Sequence, residues 1–586
     1  MSPPPVPSRA APPVTAVTPP DPTSIGGDAD VTGAPPALLR SAATITAWNA
    51  VSRVSGFVRV LAVGAAVGTT FLGNTYQSAN LVSNVLFDVV AAGLLSAPLV
   101  PVFVSLLDRR RHQDAERLAG SVLSLSLVGL GAVVVVGVIA RAGIMRLLTA
   151  DVHDAAVRAA EVRLGAFLLW FFLPQVVLYG VGALATAVLH ATHRFAAASA
   201  APVANNVVVT ATMVAFAVMR RGATPALEMG HGQRLVLAVG TTAGVAAMAA
   251  VPAVAAWRAG LRPRLGWDLR LPELREVVRL GIWGAALLGA GQVLIGVTLI
   301  LANRVSGGVV AYQIAFTFFL LPHAVLAHPV LTALYPRLAA VAGGNRWPAF
   351  AAQLGRGIRG IVLVTLPASA ALAVLGGPLL RLVRVGALDL AGARLVGRVL
   401  AAYALGLAGY GAFLALSRAS TAAGDARLPA VVAGAMTVVG GGVMVVASGA
   451  ATGGNRVVVL GLVHSGVMTA GALVLMSGLR SRIGQAVPVA ATVGRALLVA
   501  AATGAAAVGG ARLAPAGSGR AGAAMSLVLG GGAGAAAAVA GYRVVAAGEI
   551  RDLLGELRAP RPGEDGEDAA VPASLGSAGG PEGEWT

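Results

Sequence analysis

The sequence predicts an all-α polytopic membrane protein with about fourteen transmembrane helices, and three observations predict it. Apolar residues make up 56% of the 586 positions and charged residues 12%, roughly half the charged share of a soluble domain, with a mean hydropathy of +0.79. Windows of about 20 apolar residues, the length that crosses a bilayer, recur along the chain. Arginines gather in the short breaks between those windows.

In chain order the windows fall near residues 41–70, 77–107, 119–148, 162–189, 197–219, 234–257, 276–302, 309–340, 357–384, 395–421, 428–448, 457–479, 489–512 and 521–546. The last two are the weak spots of this count, being rich in Ala and Gly. Residues 1–38, with Pro3-Pro4-Pro5 and Pro19-Pro20, hold no apolar core of signal-peptide length and read as a disordered cytoplasmic tail. Residues 549–586, rich in Gly, Glu, Asp and Pro, read the same way.

Orientation follows from the positive-inside rule. With the N-terminus inside, the cytoplasmic breaks are Asp108-Arg109-Arg110-Arg111, His190 to Arg194, Arg258 to Arg275, Arg337 to Arg359, Arg418 to Arg427 and Arg480-Ser481-Arg482, all basic. Opposite breaks such as Thr69 to Thr75 and Ser306 to Gly308 are poor in charge, with Arg220-Arg221 and Arg234 against the trend. Both termini are expected in the cytoplasm, at the inner cell membrane.

A faint internal echo joins Phe172–Asn206 to Tyr403–Val432: each runs through Tyr and Gly, a small-residue helix, a basic break, and a Pro-led span at Pro202 or Pro429. Duplication of a six-helix unit produces such an echo, and transporters built from repeats place the substrate path between them. The expected organisation is a lobe at 39–258, a second at 259–480, and two additional helices at 481–548.

Several function classes are excluded or disfavoured. Absence of cysteine removes disulfides, thiolate metal sites and cysteine nucleophiles. All 43 basic residues are Arg, so no phosphate-binding loop with its Lys exists, and the eight histidines lack metal-ligand spacing. No break is long enough for an ATPase domain. The net charge of +18 sits beside hydrophobic spans and not in a folded basic domain, which fits membrane orientation and not nucleic acid. Neither enzyme activity, nor a cofactor, nor a metal is expected.

Ionisable groups inside a span are costly and therefore informative. The first span carries Ser52, Arg53, Ser55, Gly56 and Arg59; positions 52, 55, 56 and 59 share a helical stripe, with Arg53 about 100° round from Ser52. The second carries Gln77, Asn80, Asn84 and Asp88, spaced three, four and four apart. Two readings are open. Either the stripes face each other across a hydrated cavity whose arginines meet an anionic substrate, since guanidinium stays protonated and takes phosphate oxygens in pairs; or Arg53 or Arg59 pairs with Asp88 as a structural ion pair. Asn205, Asn206, Gln292, Tyr312, Gln313, Thr317, His323 and His328 are further candidates, most readily explained by interhelical hydrogen bonds.

The string Ser52-Arg53-Val54-Ser55-Gly56-Phe57-Val58-Arg59 resembles the SRVLGFxRD opening of the MurJ (MviN) lipid II flippase family, within the MOP exporter superfamily. Residues Ala92 to Phe103 resemble its EGAxSxAFVPxF, and His193-Arg194-Phe195 with Ala201 to Asn206 its RFxxPAxAPxxxN. Ala302 to Leu338 is similar to its seventh-to-eighth helix region, and Arg418-Ala419 with Gly424 to Pro429 to its RAFYAxxDTRxP. The resemblance implies two pseudo-symmetric six-helix lobes around a cationic cavity, plus two C-terminal helices forming a groove for a lipid tail. It implies flipping of an undecaprenyl-pyrophosphate-linked peptidoglycan precursor by alternating access, with cell-wall synthesis proteins as possible partners. Arg53, Arg59 and Ser52 match the family's first-helix residues, and with Asn80, Asn84, Asp88, Gln313 and Thr317 from the polar positions above they make up the candidate substrate-binding set. Departures from the pattern are Val60 after the second arginine, Asn74 for an aspartate, Phe87-Asp88 near an expected arginine, Ala92 for a glutamate, and Thr317 at about the eighth-helix arginine. The alternatives are export of another lipid-linked glycan or small molecule, or a non-transporting membrane scaffold in cell-wall synthesis.

Overall fold

A computed structural model describes residues 36–88, 103, 112–192, 194–260, 266, 289, 291–515, 519–545 and 547–548. Among these the regular structure is helical throughout: α1 (Pro36–Val67), α2 (Phe71–Phe87), α3 (His112–Leu148), α4 (Ala155–Phe172), α5 (Gln175–Ala191), α6 (Phe195–Met219), α7 (His231–Arg258), α8 (Gly291–Asn303), α9 (Gly308–Pro322), α10 (His328–Gly343), α11 (Trp347–Leu382), α12 (Leu390–Ala404), α13 (Leu407–Ala422), α14 (Arg427–Ala450), α15 (Asn455–Ile483), α16 (Ala490–Arg512) and α17 (Arg520–Val545). Eleven helical stretches are long and apolar enough to cross a membrane, or 12 if α12 and α13, bent by 47°, form one span. The windows at 77–107 and 276–302 lie partly outside the described residues, and α2 and α8 are their described portions. Most of the two tails, the Asp108–Arg111 run, most of the Arg258–Arg275 stretch, His193 and nearly all of the Ala92–Phe103 motif also lie outside them.

Breaks fall where the chemistry places them. Pro174 interrupts α4 and α5, which still pass as one span from Ala155 to Ala191. Between Pro322 and Pro329 the chain takes a π-helical turn, His323–Ala327, so both candidate histidines of this region sit at a distorted helix junction. Asp154 caps α4 by accepting from the amides of Ala156 and Val157, and Asp389 caps α12 by accepting from Gly392. The two segments of the internal echo occupy like places: each contains a broken span, at Pro174 or at 405–406, then a turn, then a long helix, α6 or α14.

Helices α1 to α7 pack mainly on one another, α9 to α15 form a second group, which α8 joins where Thr298 and Val297 meet Met444 and Gly441 of α14, and α16 and α17 pair with each other against α11. Small residues set the closest approach. Gly240 and Gly244 on α7 form a GxxxG pair, and a Cβ on Gly240 would lie 2.3 Å from Thr212 of α6.

The groups meet at one end of the bundle through a hydrogen-bonded latch. The buried Asn74 side chain of α2 donates to the carbonyls of Val305 (2.8 Å) and Asn303 (3.4 Å), while its Oδ1 accepts from the Val309 amide (3.0 Å). Asn303 donates onward to the Leu148 carbonyl (3.2 Å), and Arg304 pairs with Asp151 at 3.4 Å. A second strap joins the Ala387 amide to the Ala65 carbonyl at 2.7 Å. The latch needs glycine at 307, where φ is 71° and a Cβ would stand 2.3 Å from the Thr69 backbone. Gly307→Ala is therefore expected to destabilise this end by about 1–3 kcal/mol, the usual cost of overpacking, read as a lowered unfolding temperature of the purified protein; an unchanged temperature would show that the Thr69 turn yields freely.

Charge at the two ends is less one-sided than the breaks alone indicate. The latched end carries Arg220, Arg221 and Arg234, and also Arg384, Arg456 and Arg520 beside the turns that close α11, α14 and α16. Arg220 and Arg520 are held on backbone carbonyls of Ala223 and Arg384.

Candidate functional site: a polar cavity between the helical groups

Polar residues spaced three and four apart on α2 can share one face only if that helix stays regular, and it does through Phe87, with Asp88 as its C-cap in helical φ/ψ. Gln77, Asn80, Asn84 and Asp88 all line one cavity of about 420 Å³, with Arg59 of α1 and Gln313 of α9 on its wall. Arg59 lies eight residues before Val67 and so about 12 Å along the helix axis from the latched end, inside the apolar stretch Ala47–Val67. Its side chain is half-buried, and its Nε is buried without a hydrogen-bond partner.

Neither Arg59 nor Arg53 forms an ion pair with Asp88 among the described residues. Asp88 instead accepts from Nε2 of Gln292 on α8 at 3.1 Å, a contact that bridges the two helical groups. The structural ion pair weighed from sequence is thus absent from this conformation, and the Arg59 charge faces an open volume.

Other walls of the cavity carry hydroxyls and amides. Tyr179 of α5 donates to Oδ1 of Asn84 (3.2 Å), Tyr76 and Thr241 share a hydrogen bond of 2.9 Å, and the Asn205 Oδ1 is buried without a partner. These bonds fix the α2 face against α5 and α7, so the amide at 84 is held before any ligand arrives. A smaller, mainly apolar pocket of about 190 Å³ adjoins through Tyr179, Pro202 and Met248.

Three expected site residues lie elsewhere. Arg53 is exposed and is not on the wall of this cavity. The Ser52 carbonyl accepts from Asn206 Nδ2 (3.3 Å) and from Ser55 Oγ (3.1 Å), which makes it part of the α1–α6 contact. The Thr317 hydroxyl donates to the Gln313 carbonyl one turn back (2.9 Å). Conversely, Tyr76, Tyr179 and Thr241 were not singled out by sequence; Tyr76 is adjacent to the α2 polar stripe, and Tyr179 lies in the Tyr-Gly pair of the internal echo, the only signals that point to them.

A bundle of two groups of apolar, membrane-length helices, latched at one end and enclosing a polar cavity with a guanidinium in its wall, has the architecture of a multi-pass membrane transporter. Comparison with known proteins is specific. The family model described as lipid II flippase MurJ matches residues 63–519, and the chain belongs to that family. The match begins after Arg59, so it is independent of the first-helix string. The probable lipid II flippase MurJ of Rhizobium meliloti (strain 1021) is 27% identical over 406 residues, covering 69% of this chain and 74% of that protein. The protein of that description from Synechocystis sp. is 27% identical over 403 residues, covering 67% and 73%. Among solved structures, lipid II flippase MurJ in an inward closed conformation superposes with a TM-score of 0.68 at 16% identity, over 85% of this chain and 98% of that one. An inward-facing multidrug resistance MATE family transporter of the MOP superfamily gives 0.59 at 14%, over 74% and 94%. These two likenesses establish the fold.

Proposed function

We propose that this protein is a flippase that carries a lipid-linked peptidoglycan precursor, lipid II or a similar undecaprenyl-pyrophosphate-linked saccharide, across the cytoplasmic membrane by alternating access. The observation that carries the reading is Arg59, a cation at membrane depth with no carboxylate partner among the described residues, facing a cavity whose polar wall is otherwise amides, hydroxyls and the Gln292-bound Asp88 carboxylate. A guanidinium in that setting recovers its lost hydration from an anion, and a pyrophosphate supplies several acceptor oxygens. Asn80, Asn84 and Gln313 offer donors to phosphate or sugar, and Asp88 an acceptor for sugar hydroxyls or amides. Arg53, exposed one and a half turns before Arg59, makes first contact with the pyrophosphate at the cavity approach. The polyprenyl tail never needs the cavity and stays against lipid, along the surface where α16 and α17 meet α11.

Both termini lie in the cytoplasm in this reading, which puts the latched end outward and opens the cavity to the inner leaflet. The basic loops at Arg194, Arg337 to Arg359 and Arg418 to Arg427 support that orientation. The halves 39–258 and 259–480 then act as the two moving lobes, with 481–548 as the tail-binding addition.

The test is reconstitution of the full chain in vesicles that hold a fluorescent undecaprenyl-pyrophosphate-linked saccharide. Protein-dependent transfer of the saccharide between leaflets, competed by unlabelled pyrophosphate-linked lipid and not by a neutral polyprenol, is expected. Equal transfer of a polyprenol-linked sugar lacking phosphate would contradict the role given to Arg59.

A further inference from the structure

We propose that Glu161, on α4 in the amino-terminal lobe, is a proton-binding site that is loaded while the bundle is latched and unloaded when the latched end opens. The functional reading above supplies the transport cycle to which this couples, and the site itself stands on independent geometry.

Glu161 has no exposed surface, although it sits within a membrane span. Its Oε2 is buried without a hydrogen-bond partner. Its Oε1 lies 3.1 Å from the hydroxyl oxygen of Thr75 on α2, and that hydroxyl is also 2.8 Å from the Phe71 carbonyl. A threonine hydroxyl owns one proton. If Thr75 gives it to a Glu161 carboxylate, the charge is left with a single hydrogen bond and no cation, a state far costlier than any hydrogen bond returns. If Glu161 carries a proton, Oε1–H donates to Thr75, Thr75 donates to Phe71, and no net charge is buried. With one proton per hydroxyl, the arrangement that fills both contacts places the proton on Glu161.

Among the described residues no neighbouring charge offers an alternative explanation. On α2, Tyr76 is bonded to Thr241 and Asp88 to Gln292. On α3, Arg141 gives its guanidinium to the Val138 carbonyl and the Trp170 ring, and Arg146 is exposed. On α5, Tyr179 donates to Asn84 and His190 packs on Phe195. On α7, His231 packs on Phe167, and Arg234 lines a separate cavity together with Arg163 of α4. Arg158, also on α4, is exposed. None of them bonds Glu161.

The location links proton and latch. Thr75 directly follows Asn74, whose side chain holds α2 to the α8–α9 turn. Separation of the lobes at this end frees that part of α2, admits water to Thr75 and Glu161, and lets the carboxyl ionise. The proton thus leaves toward the compartment on the latched side and is regained from it or through the cavity as the bundle closes.

Infrared difference spectra of the full chain in lipid nanodiscs, titrated over pH, decide the protonation directly. The wild type is expected to show a buried carboxylic-acid C=O band that is lost in Glu161→Gln, whose amide keeps the bond to Thr75. In vesicles, an imposed proton gradient is expected to change the wild-type flipping rate and to leave Glu161→Gln unaffected. Identical carboxyl bands in the two proteins, or an equal response to the gradient, would overturn the proposal. If Glu161→Gln fails to fold, Thr75→Val serves: it removes the acceptor, so the band must shift in frequency, and an unshifted band is equally fatal. Should neither protein flip the lipid, the spectra still decide the proton site, and the failure belongs to the substrate assignment alone.

Discussion

Arg59→Ala is expected to lower the flipping rate in vesicles by roughly 100-fold or more, at equal protein in the membrane. The figure follows from losing two charge-assisted hydrogen bonds to a pyrophosphate, at about 1.5–3 kcal/mol each. The substitution removes a cation that has no ion-pair partner, so it leaves no carboxylate stranded and folding is expected to survive. Arg59→Lys keeps the charge and loses the paired donors, and an intermediate rate is expected. Flipping by Arg59→Ala within a factor of about three of the wild type would remove this residue from the mechanism.

The second large effect is expected at the latch. Asn74→Asp preserves shape and removes the donor, turning a carboxylate oxygen toward the Asn303 and Val305 carbonyls. The loss of two bonds at about 1 kcal/mol each, with repulsion added, shifts the closed-to-open equilibrium by about 3 kcal/mol, near 100-fold. The chain contains no cysteine, so His153→Cys and Thr452→Cys, on exposed turns at the latched end of the two groups, give a unique pair for spin labels. A short distance in the latched protein and a dominant longer one in Asn74→Asp are expected. An unchanged distribution would mean that the other straps, such as Ala387 to Ala65, hold this end alone. The geometry also gives a reason for asparagine here where the resembling family has aspartate: only an amide can donate to two carbonyls and accept from an amide at once.

Much of this was legible in the sequence because a bilayer allows so few structures. Apolar windows marked the helices, and the α2 spacing of three, four and four put Gln77, Asn80, Asn84 and Asp88 on one wall of the cavity. The α1 stripe was harder. Ser52, Ser55 and Gly56 share a face with Arg59, yet Asn206 of α6 covers the first three while Arg59 meets open volume further along the axis. Periodicity gives direction around a helix and not what stands opposite at each height. Glu161 escaped for a different reason. The hydropathy window opened at residue 162, and a charged residue pushes such a window away from itself, although α4 begins at Ala155. Tyr179 and Thr241 bond across helices that no local pattern brings together.

The most direct measurement is the accessibility of Asn80→Cys, the sole cysteine of such a variant, in sealed vesicles of known orientation. A charged, membrane-impermeant thiol reagent is expected to label it from the end opposite the latch, and pyrophosphate-linked lipid is expected to protect it. Labelling from neither side, or labelling indifferent to that lipid, would contradict a water-filled anion path beside Arg59.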